Sequence, residues 1–450
     1  MKDNLSIALK RAGSMNIEIS KIRSHYKKLE AEFPLTVKSD STTYRSPVNF
    51  QESMALHRHR WYPYKEGFSP NFVRSFISEF SRGKGVVFDP FCGSGTTPIV
   101  AGEMGIKGIG FDVSPLTTFI AQTKSLILNE HEISSLRQTL KVLLSDKLSA
   151  ASEKPLSSTV RSYFEPGYLD ALLRLKYFAQ NREDEKQRKL LLIALLSAIE
   201  PFSTHRKAGN GLKRKTRSSY QLLCSSPLES VREYAASRLG MFITDLEQSL
   251  TFVAPTVKCQ SSLDEQSFEG IDSISTIITS PPYANCFDYS KIYMAELWLG
   301  DFFKSSEDQK LFRQSSIRSH VHATWAERYE KDGNEFVERF IQPSIDSQTL
   351  WSRKIGGMIS GYYRDLGRFL RVVKPRLLRG APIGLVVGNS FYGGVPVATD
   401  LLLAELGQSH GYIVDAIIVY RGVIPSSQQY VAMQEDKKYM RESLVVLRKR

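Results

Sequence analysis

Residues 86–97, VVFDPFCGSGTT, join a short apolar run, an acid, two glycines and two threonines. The apolar run is typical of a buried strand, and the threonines begin a stretch, TTPIVAGEMG, that we interpret as a helix. Between them, Gly93 and Gly95 allow the backbone to turn tightly and to approach a ligand closely. The stretch therefore predicts a strand, a binding loop and a helix, the repeating unit of an α/β fold.

The residues around this loop indicate its ligand. Thr96 and Thr97 stand at the amino end of the predicted helix, where an anionic group such as a carboxylate is stabilised. Asp112 ends the next apolar run, GIGFD, and an acid there can accept hydrogen bonds from both hydroxyls of a ribose. The GxxxxGK[ST] pattern of a phosphate-binding loop is absent. These residues favour a nucleoside cofactor over a glycine turn that binds nothing.

Further β-branched runs recur along the chain, and turn residues and helical periodicity follow them. They are GIGFDVS (108–114), the weaker TVKCQSSLD (256–264), ISTIITSPP (274–282), IGLVVGNS (383–390), IVDAIIVY (413–420) and ESLVVLRK (442–449). Near-continuous apolar strands that alternate with helices indicate a mostly parallel sheet covered on both faces.

Two segments interrupt this alternation. Residues 129–255 repeat apolar positions at intervals of three and four, which predicts helices, whereas residues 301–355 are polar, charged and aromatic without a clear period. We expect an α/β domain split by two insertions. The predicted divisions are a helical, basic N-terminal arm (1–45), the α/β domain in three parts (46–128, 256–300 and 356–450), the helical insertion (129–255) and the second insertion (301–355).

The chain is basic. Lys and Arg outnumber Asp and Glu by 60 to 47, giving a formal net charge of +13 and a sequence pI near 9.4. Such an excess favours a polyanionic partner, with nucleic acid the first candidate, although a basic protein without such a partner has the same composition.

Cysteine and histidine usage indicates neither disulfides nor a metal site. The four cysteines include no CxxC pair, and the cluster HRHRW (57–61), without acidic or cysteine ligands nearby, is interpreted as a basic surface element. The N-terminus lacks the apolar core of a signal peptide, and the longest apolar run, LLLIALLSAI (190–199), is too short to span a bilayer. We expect a soluble cytoplasmic protein of a bacterium, with no metal and no membrane partner.

A second motif, IITSPPYANCFDYS (277–290), ends an apolar strand at two prolines. Proline has no N–H, so the corner presents acceptors without a competing donor. The Ser280 side chain and the Pro281 carbonyl could accept hydrogen bonds from the exocyclic amino group of a nucleobase, and Tyr283 could stack on a base swung out of its helix. The plainer alternative is a strand that ends in a turn with a core tyrosine.

The two motifs together resemble a known family. DPFCGSGTT followed by TSPPY is similar to the S-adenosylmethionine-dependent DNA amino-methyltransferases, which methylate the exocyclic nitrogen of cytosine or adenine. HRWYPYKEGFSPNFVRSFI (59–77) resembles the family segment that helps to close the cofactor pocket, and RESLVVLRK (441–449) resembles its last, antiparallel strand. The resemblance implies a Rossmann-like class I methyltransferase fold, with a seven-stranded, mostly parallel sheet, here with a helical insertion.

The resemblance also implies the site residues and the cofactor, S-adenosyl-L-methionine. The residues expected to bind the cofactor are Asp89, Phe91, Gly93 and Gly95 at its methionine end, Thr96 and Thr97 at its carboxylate, Asp112 at its ribose and Asp264 at its adenine. The expected catalytic tetrapeptide is Ser280, Pro281, Pro282 and Tyr283.

The first residue of the tetrapeptide bears on the base that is methylated. Serine there is typical of members that methylate N4 of cytosine, whereas adenine-specific members usually have Asp or Asn. Cytosine members more often place the tetrapeptide before the glycine loop, but here the loop comes first. We favour cytosine because Ser280 is expected to touch the substrate. Methylation of ring carbon 5 is disfavoured because it needs a cysteine nucleophile, usually after proline, and no Pro-Cys pair occurs.

A basic stretch, STHRKAGNGLKRKTRSS (203–219), suggests where DNA is bound. It has six Lys or Arg residues and no acid, although a solvated charged loop has the same pattern. The expected DNA contacts are Arg206, Lys207, Asn210, Lys213, Arg214, Lys215 and Arg217, with residues 129–255 as the target-recognition region. Weaker candidates are HATWAERY (322–329), Arg58 and Arg60.

These predictions together describe a site-specific DNA methyltransferase of the cytosine-N4 type, acting on double-stranded DNA within a restriction–modification system that includes a cognate endonuclease. Three alternatives remain from the sequence: adenine-N6 methylation by the same scaffold, methylation of structured RNA, and a non-catalytic DNA-binding subunit that keeps the fold.

Overall fold

Each of the seven apolar runs forms a strand, and an eighth, short strand joins them at one edge of a single sheet. The computed structural model describes residues 18–39, 41, 46–81, 84–145, 148–149, 156–216, 226–248, 252–325, 327–423 and 433–450. Its strands are β1 Leu35–Val37, β2 Val86–Asp89, β3 Gly108–Asp112, β4 His205–Ala208, β5 Gly211–Arg214, β6 Thr256–Cys259, β7 Ile274–Thr279, β8 Pro382–Gly388, β9 Ser390–Tyr392, β10 Val395–Val397, β11 Tyr412–Gly422 and β12 Arg441–Lys449.

The helices precede, separate and follow these strands. They are α1 (residues 18–32), α2 Pro70–Phe80, α3 Thr96–Glu103, α4 Pro115–Lys124, α5 Glu130–Ser145, α6 Ser158–Arg161, α7 Pro166–Gln180, α8 Glu185–Phe202, α9 Pro227–Glu247, α10 Tyr289–Ile292, α11 Met294–Leu299, α12 Ser306–Ser315, α13 Gln342–Asp346, α14 Ile355–Val373 and α15 Thr399–Ser409. Among the described helices, none combines the length and the apolar composition needed to cross a bilayer.

The order of the sheet is β1-β11-β12-β8-β7-β2-β3-β6. Strand β12 runs antiparallel to both of its neighbours, and the other pairings are parallel. This confirms the Rossmann-like methyltransferase fold and the antiparallel position of the last strand. The sheet has eight strands, one more than expected, because β1 leaves the N-terminal segment and pairs in parallel with β11.

Both faces of the central strands are buried, which explains why their sequences are nearly continuous apolar runs. Successive side chains of a strand point to opposite faces. Val87 and Ile278 pack in the cluster that includes α2 and α3, whereas Phe88 and Ile277 pack in the cluster that includes α14 and α15.

The insertion after α4 has its own hydrophobic core. Helices α5, α7, α8 and α9 bury a shared set of apolar side chains, and the cluster extends to α4 and Trp61 of the α/β domain. The basic stretch between α8 and α9 is not a simple loop, because residues 205–214 form the antiparallel hairpin β4–β5. The insertion is therefore helical, as expected, but it carries a hairpin.

Arg58, His59 and Trp61 of the cluster HRHRW are buried, so the interpretation of the cluster as a basic surface element was wrong for these residues, although His57 is exposed. Arg58 and His59 are 2% and 3% exposed. The Arg58 guanidinium donates to the carbonyl oxygens of Lys124 and Leu126 at 2.7 and 2.8 Å. Helix α4 ends at Lys124, so the arginine supplies donors to carbonyl oxygens at the end of the helix and just beyond it.

Asp245 of α9 joins this segment to the insertion. The carboxylate is fully buried and accepts hydrogen bonds from the Arg58 backbone N–H at 3.1 Å and from Trp61 Nε1 at 2.8 Å. Its other oxygen is paired with the guanidinium of Arg60. Arg58 and Arg60, weaker candidates for DNA contact, therefore have internal partners.

Replacing Asp245 with alanine should destabilise the fold strongly, because it leaves the partly buried Arg60 guanidinium, the Arg58 backbone N–H and the buried Trp61 indole N–H without their acceptor. We expect the free energy of unfolding in urea to fall by about 3–5 kcal/mol. The control is Asp170→Ala, which breaks the exposed pair with Arg174 within one helix and should cost about 1 kcal/mol or less. Equal losses in the two variants would contradict the role of Asp245.

Candidate active site

The two motifs meet at the carboxyl edge of the sheet. Asp89, Asp112 and Thr279 are the last residues of the parallel strands β2, β3 and β7, so all three side chains lie at one edge. A cleft of about 960 Å³ opens there, and residues of both the glycine loop and the proline corner line it. Its lining combines apolar side chains with a few polar and acidic groups, as in sites that bind a nucleoside cofactor.

Asp89 connects the two motifs directly. Its carboxylate is 2% exposed and accepts hydrogen bonds from Thr279 Oγ1 at 2.6 Å and from the Phe91 backbone N–H at 3.1 Å. Burial raises the pKa of Asp89 to about 7. Because Thr279 immediately precedes Ser280, this bond holds the glycine loop and the proline corner in a defined arrangement.

The two glycines of the loop have different roles. Both have positive φ, +49° at Gly93 and +87° at Gly95. A Cβ on Gly93 would lie 2.8 Å from Cε1 of Tyr64, whereas a Cβ on Gly95 would lie 2.7 Å from Cβ of Ala121. Gly93 therefore lets Tyr64 cover the loop inside the cleft, and Gly95, which does not line the cleft, lets α3 approach α4.

Asp112 lines the cleft and is held by the backbone of two loops. Its carboxylate accepts hydrogen bonds from the N–H groups of Gly93 and Ser114, both at 2.8 Å. Burial raises the pKa of Asp112. Each carboxylate oxygen can accept more than one hydrogen bond, so the two hydroxyls of a ribose could still be bound.

The other expected cofactor residues are divided between the cleft and its surroundings. Phe91 and Thr96 line the cleft. Thr97 is fully buried, outside the lining, and its hydroxyl donates to the Ile278 carbonyl at 3.0 Å. Asp264 is exposed, and it accepts a hydrogen bond from the Gln266 N–H. The lining nearest to Asp264 comes from residues 260–263.

Two walls of the cleft come from other parts of the chain. Tyr64, Glu66, Gly67 and Phe68 form one wall, within the segment 59–77. Another wall comes from residues within 312–320 of the second insertion. Sequence reasoning missed this wall because the insertion has neither a motif nor a period, and only the tertiary structure brings it to the glycine loop.

A second cleft, of about 790 Å³, adjoins the first, and Pro281 and Tyr283 line it. Ser280 lines both clefts, together with Glu66, Gly67, Phe68 and Tyr289. The proline corner therefore stands at the junction of the two clefts, so that a molecule in one can meet a molecule in the other at Ser280.

Tyr283 is held by a partly buried ion pair that sequence reasoning did not find. Its hydroxyl donates to Oε1 of Glu442 at 2.6 Å, and the guanidinium of Arg421 pairs with Oε2 of the same carboxylate. Burial raises the pKa of Tyr283 well above its ordinary value, so the phenol stays neutral and donates. Its ring lies against Gly388, where a Cβ would come within 2.9 Å of Cδ2.

Ser280 and Pro281 keep acceptors available. The Ser280 hydroxyl lies 3.3 Å from the Val386 carbonyl, to which it can donate, and its oxygen lone pairs remain able to accept. Within the described residues, no protein donor meets the Pro281 carbonyl oxygen.

The tip of the β4–β5 hairpin reaches the second cleft. Gly209 and Asn210 line the cleft, and the Asn210 amide donates to the Asn285 carbonyl at 2.8 Å, two residues beyond Tyr283. The flanking strands carry three exposed cations expected to contact DNA: Arg206, Lys213 and Arg214.

The remaining cations expected to contact DNA differ from these three. The Lys207 side chain is only 7% exposed, and its Nζ pairs with Glu296 and lies 3.5 Å from Glu200. Lys215 donates to the carbonyl oxygens of Glu200 and Pro201 at 2.6 and 2.9 Å. Both therefore have internal acceptors, and Arg217 lies outside the described residues.

One group of side chains has the composition of a metal site. Asp288, His320 and His322 bring possible ligand atoms within 4.8 Å of one another. However, Arg313 Nη2 lies 3.0 Å from Oδ2 of Asp288, the same oxygen that faces His322. The positively charged guanidinium of Arg313 thus already pairs with the Asp288 carboxylate, where a metal ion would otherwise bind.

The chain is similar to a family of DNA methylases and to two type II methyltransferases. The family model N6_N4_Mtase, described as DNA methylase, matches residues 18–122. The type II methyltransferase M.BsoBI of Geobacillus stearothermophilus is 25% identical over 434 residues, which cover 86% of this chain and 84% of that protein. The type II methyltransferase M.AvaI of Nostoc sp. is 25% identical over 460 residues, covering 96% of this chain and 94% of that protein.

These matches support a DNA amino-methyltransferase. An alignment that covers 96% of the chain includes most of the helical insertion, so the likeness is not confined to the cofactor half. Among solved structures, the rRNA methyltransferase aviRa of Streptomyces viridochromogenes covers 84% of this chain and 83% of its own, at 12% identity and a TM-score of 0.29. A TM-score this low carries no argument about function.

Asp89→Asn should change how stability depends on pH. The pKa of Asp89 is raised from 3.8 in the unfolded chain to about 7 in the fold, so the folded state binds this proton more tightly. The free energy of unfolding of the wild type therefore falls as the pH rises from about 4 to about 7, at about 1.4 kcal/mol per unit at most. Asparagine does not titrate, so it makes no such pH-dependent contribution to the free energy of unfolding. In urea unfolding, the variant should therefore gain stability relative to the wild type as the pH rises from 5 to 8.

The control for this measurement is Ser262→Ala. It removes a buried hydrogen bond to the Pro90 carbonyl in the same cleft without removing a charge. Its effect on the free energy of unfolding should be the same at both pH values. A pH-independent difference between Asp89→Asn and the wild type would contradict the raised pKa.

Proposed function

We propose that this protein is a site-specific DNA methyltransferase that methylates N4 of a cytosine flipped out of double-stranded DNA, with S-adenosyl-L-methionine as the methyl donor. The observation that carries the proposal is the junction of two clefts at Ser280. One cleft has the acids and the glycine loop suited to a nucleoside cofactor, and the other has the acceptors and the aromatic ring suited to a base.

The first cleft fits the cofactor chemically. The buried carboxylate of Asp89 suits the ammonium group of its methionine end, and Thr96 at the amino end of α3 suits its carboxylate. Asp112 suits the ribose hydroxyls. When bound, S-adenosylmethionine supplies an electrophilic methyl group.

The second cleft supplies the groups that act on the base. The lone pair of an exocyclic amino nitrogen is delocalised into the ring, and acceptors on its two hydrogens make that nitrogen more electron-rich. Ser280 Oγ and the Pro281 carbonyl are those acceptors. Tyr283, whose hydroxyl is fixed by Glu442, supplies a rigid face on which the flipped base stacks. Orientation of the amino group toward the first cleft then lowers the barrier to transfer.

DNA binding is assigned to the insertion, with the hairpin β4–β5 as its contacting part. The cations Arg206, Lys213 and Arg214 neutralise phosphates, and the tip at Asn210 lies beside the cleft for the base. We infer that the enzyme is the modification part of a restriction–modification system, with a cognate endonuclease as its partner. The type II methyltransferases that it resembles support this inference.

Transfer of a labelled methyl group tests the activity and the base. The protein is incubated with labelled S-adenosylmethionine and, separately, with unmethylated duplex DNA or tRNA, and the nucleosides are then separated. We expect label in N4-methylcytosine from DNA. Label in N6-methyladenine would support the adenine alternative, label in RNA alone would refute a DNA enzyme, and cofactor binding without transfer would favour a binding subunit.

Variants of Tyr283 test the stacking role. Tyr283→Ala removes the ring and should lower kcat/KM by roughly 5- to 150-fold, the range for loss of one stacked base, while the Kd for the cofactor is unchanged. Tyr283→Phe keeps the ring and removes only the bond to Glu442, so it should lose less. Unchanged turnover in the alanine variant would rule out stacking on Tyr283.

Single glutamine variants of Arg206, Lys213 and Arg214 test the hairpin. If each cation neutralises one phosphate, each variant should reduce the slope of log Kobs against log salt by about 0.9 in DNA-binding titrations. Arg339→Gln is the matched control, because Arg339 is exposed but lines neither cleft. Slopes that match the control in all three variants would remove the hairpin from the DNA interface.

A further inference from the structure

The second cleft contains more than the acceptors for the amino group. A flipped base is recognised by hydrogen bonds to its Watson–Crick edge, and that edge includes ring acceptors as well as the amino group. Ser280 and Pro281 can act as acceptors for the amino hydrogens but do not supply a donor to the ring acceptors, so a separate donor is needed farther along the same edge of the base. This inference rests on the proposed function, because it concerns the base that occupies this cleft.

Two cations line the second cleft, Lys65 and Arg421. Lys65 has internal acceptors, because its Nζ donates to Glu200 Oε1 at 2.8 Å and lies 3.4 Å from the Lys207 carbonyl. The amide nitrogen of Asn210 donates to the Asn285 carbonyl. Arg421 differs: its Nε pairs with Glu442, and within the described residues its two terminal nitrogens have no hydrogen-bond acceptor.

Arg421 is held in place relative to the catalytic corner. It stands opposite Glu442 in the antiparallel pair of β11 and β12. The same carboxylate accepts the Tyr283 hydroxyl at 2.6 Å, and that hydroxyl lies 3.4 Å from Ser280 Oγ. Glu442 is 4% exposed, whereas the Arg421 side chain is 20% exposed at the cleft. The guanidinium therefore has one nitrogen committed to the ion pair and two donors available to a ligand.

Cytosine and adenine differ in what they offer to such a donor. Beside its amino group, cytosine has the acceptors N3 and O2. Adenine held by its amino group has N1 in the place of N3, but a C–H bond in the place of O2. We propose that Arg421 donates a hydrogen bond to O2 of the flipped cytosine and is thereby a specificity-determining residue of this site.

The arrangement selects against adenine as well as for cytosine. With adenine in the cleft, a guanidinium N–H would face a C–H group after losing its water, and an unpaired buried donor is costly. A hydrogen bond to a charged group contributes about 1.5–3 kcal/mol, which corresponds to roughly 10- to 150-fold in kcat/KM.

The test is a cycle of enzyme and base variants. The methylated position is first mapped on DNA treated with the wild-type protein, and duplexes are then made with cytosine or with a 2-aminopyridine C-nucleoside at that position. The analogue keeps the amino group and the ring nitrogen but has C–H in place of the O2 carbonyl. The wild type should lose roughly 10- to 150-fold in kcat/KM on the analogue.

Arg421→Met keeps an unbranched, flexible stem and removes the donors of the guanidinium. This variant should be slower on cytosine by a similar factor and should lose little more on the analogue, so that the two changes are not additive. Arg421→Lys, which retains a donor, should restore part of the penalty for the analogue. Equal penalties for the analogue in the wild type and in Arg421→Met would overturn the proposal.

A second comparison separates base recognition from support of the tyrosine. Tyr283→Phe breaks the bond between the tyrosine and Glu442 but leaves the ion pair with Arg421. It should keep the full penalty for the analogue, whereas a loss of that penalty would show that Arg421 acts only through Tyr283. The Kd for S-adenosylmethionine should be unchanged in each variant, which verifies that the first cleft has folded.

The outcomes also separate this inference from the proposed function. If the wild type produces N4-methylcytosine but the cycle shows additive effects, only the role of Arg421 fails. If the mapped product is N6-methyladenine, or if the label enters RNA alone, both the proposed function and the role of Arg421 fail.

Discussion

The arrangement of this molecule depends on the buried contact between Asp89 and Thr279. It joins the carboxyl ends of β2 and β7, two neighbouring strands that are far apart in sequence. Because the strands are parallel, the loops that follow them emerge at the same edge, and the contact holds those loops in a defined arrangement. The glycine loop and the proline corner become one site for this reason, although neither motif contains information about the distance to the other.

The two insertions complete the site. The helical insertion has its own core and extends a hairpin whose tip reaches the second cleft. The second insertion forms a wall of the first cleft, and the Cys286 N–H, beyond the proline corner, donates to the Ser319 carbonyl at 3.0 Å. The short loop 283–286 thus contacts both insertions and, through Tyr283, the last two strands. A change in any of these parts would therefore alter the position of the loop 283–286.

Charge in this protein is divided between the surface and the interior. The net charge of +13 suggests a surface that binds a polyanion, yet some of the basic residues expected to contact DNA have internal partners instead. Arg58 donates to carbonyl oxygens at the end of α4, and the Lys207 side chain pairs with Glu296 inside the fold. Each buried pair is costly to break, and for that reason such residues define the relative position of segments rather than attract DNA.

The sequence by itself determined the strands of the main sheet and the two motifs, because continuous apolar runs, glycine turns and proline corners depend on local chemistry. It did not determine β1, whose three residues form a strand only because β11 offers an open edge. Nor could it show that Thr97 faces the sheet, that the Lys207 side chain is buried, or that residues within 312–320 line the cleft, since side-chain burial depends on partners distant in the chain. The tertiary structure alone brought Glu442 and Arg421 to Tyr283, because the pairing of β11 with β12 places them beside a corner more than a hundred residues away.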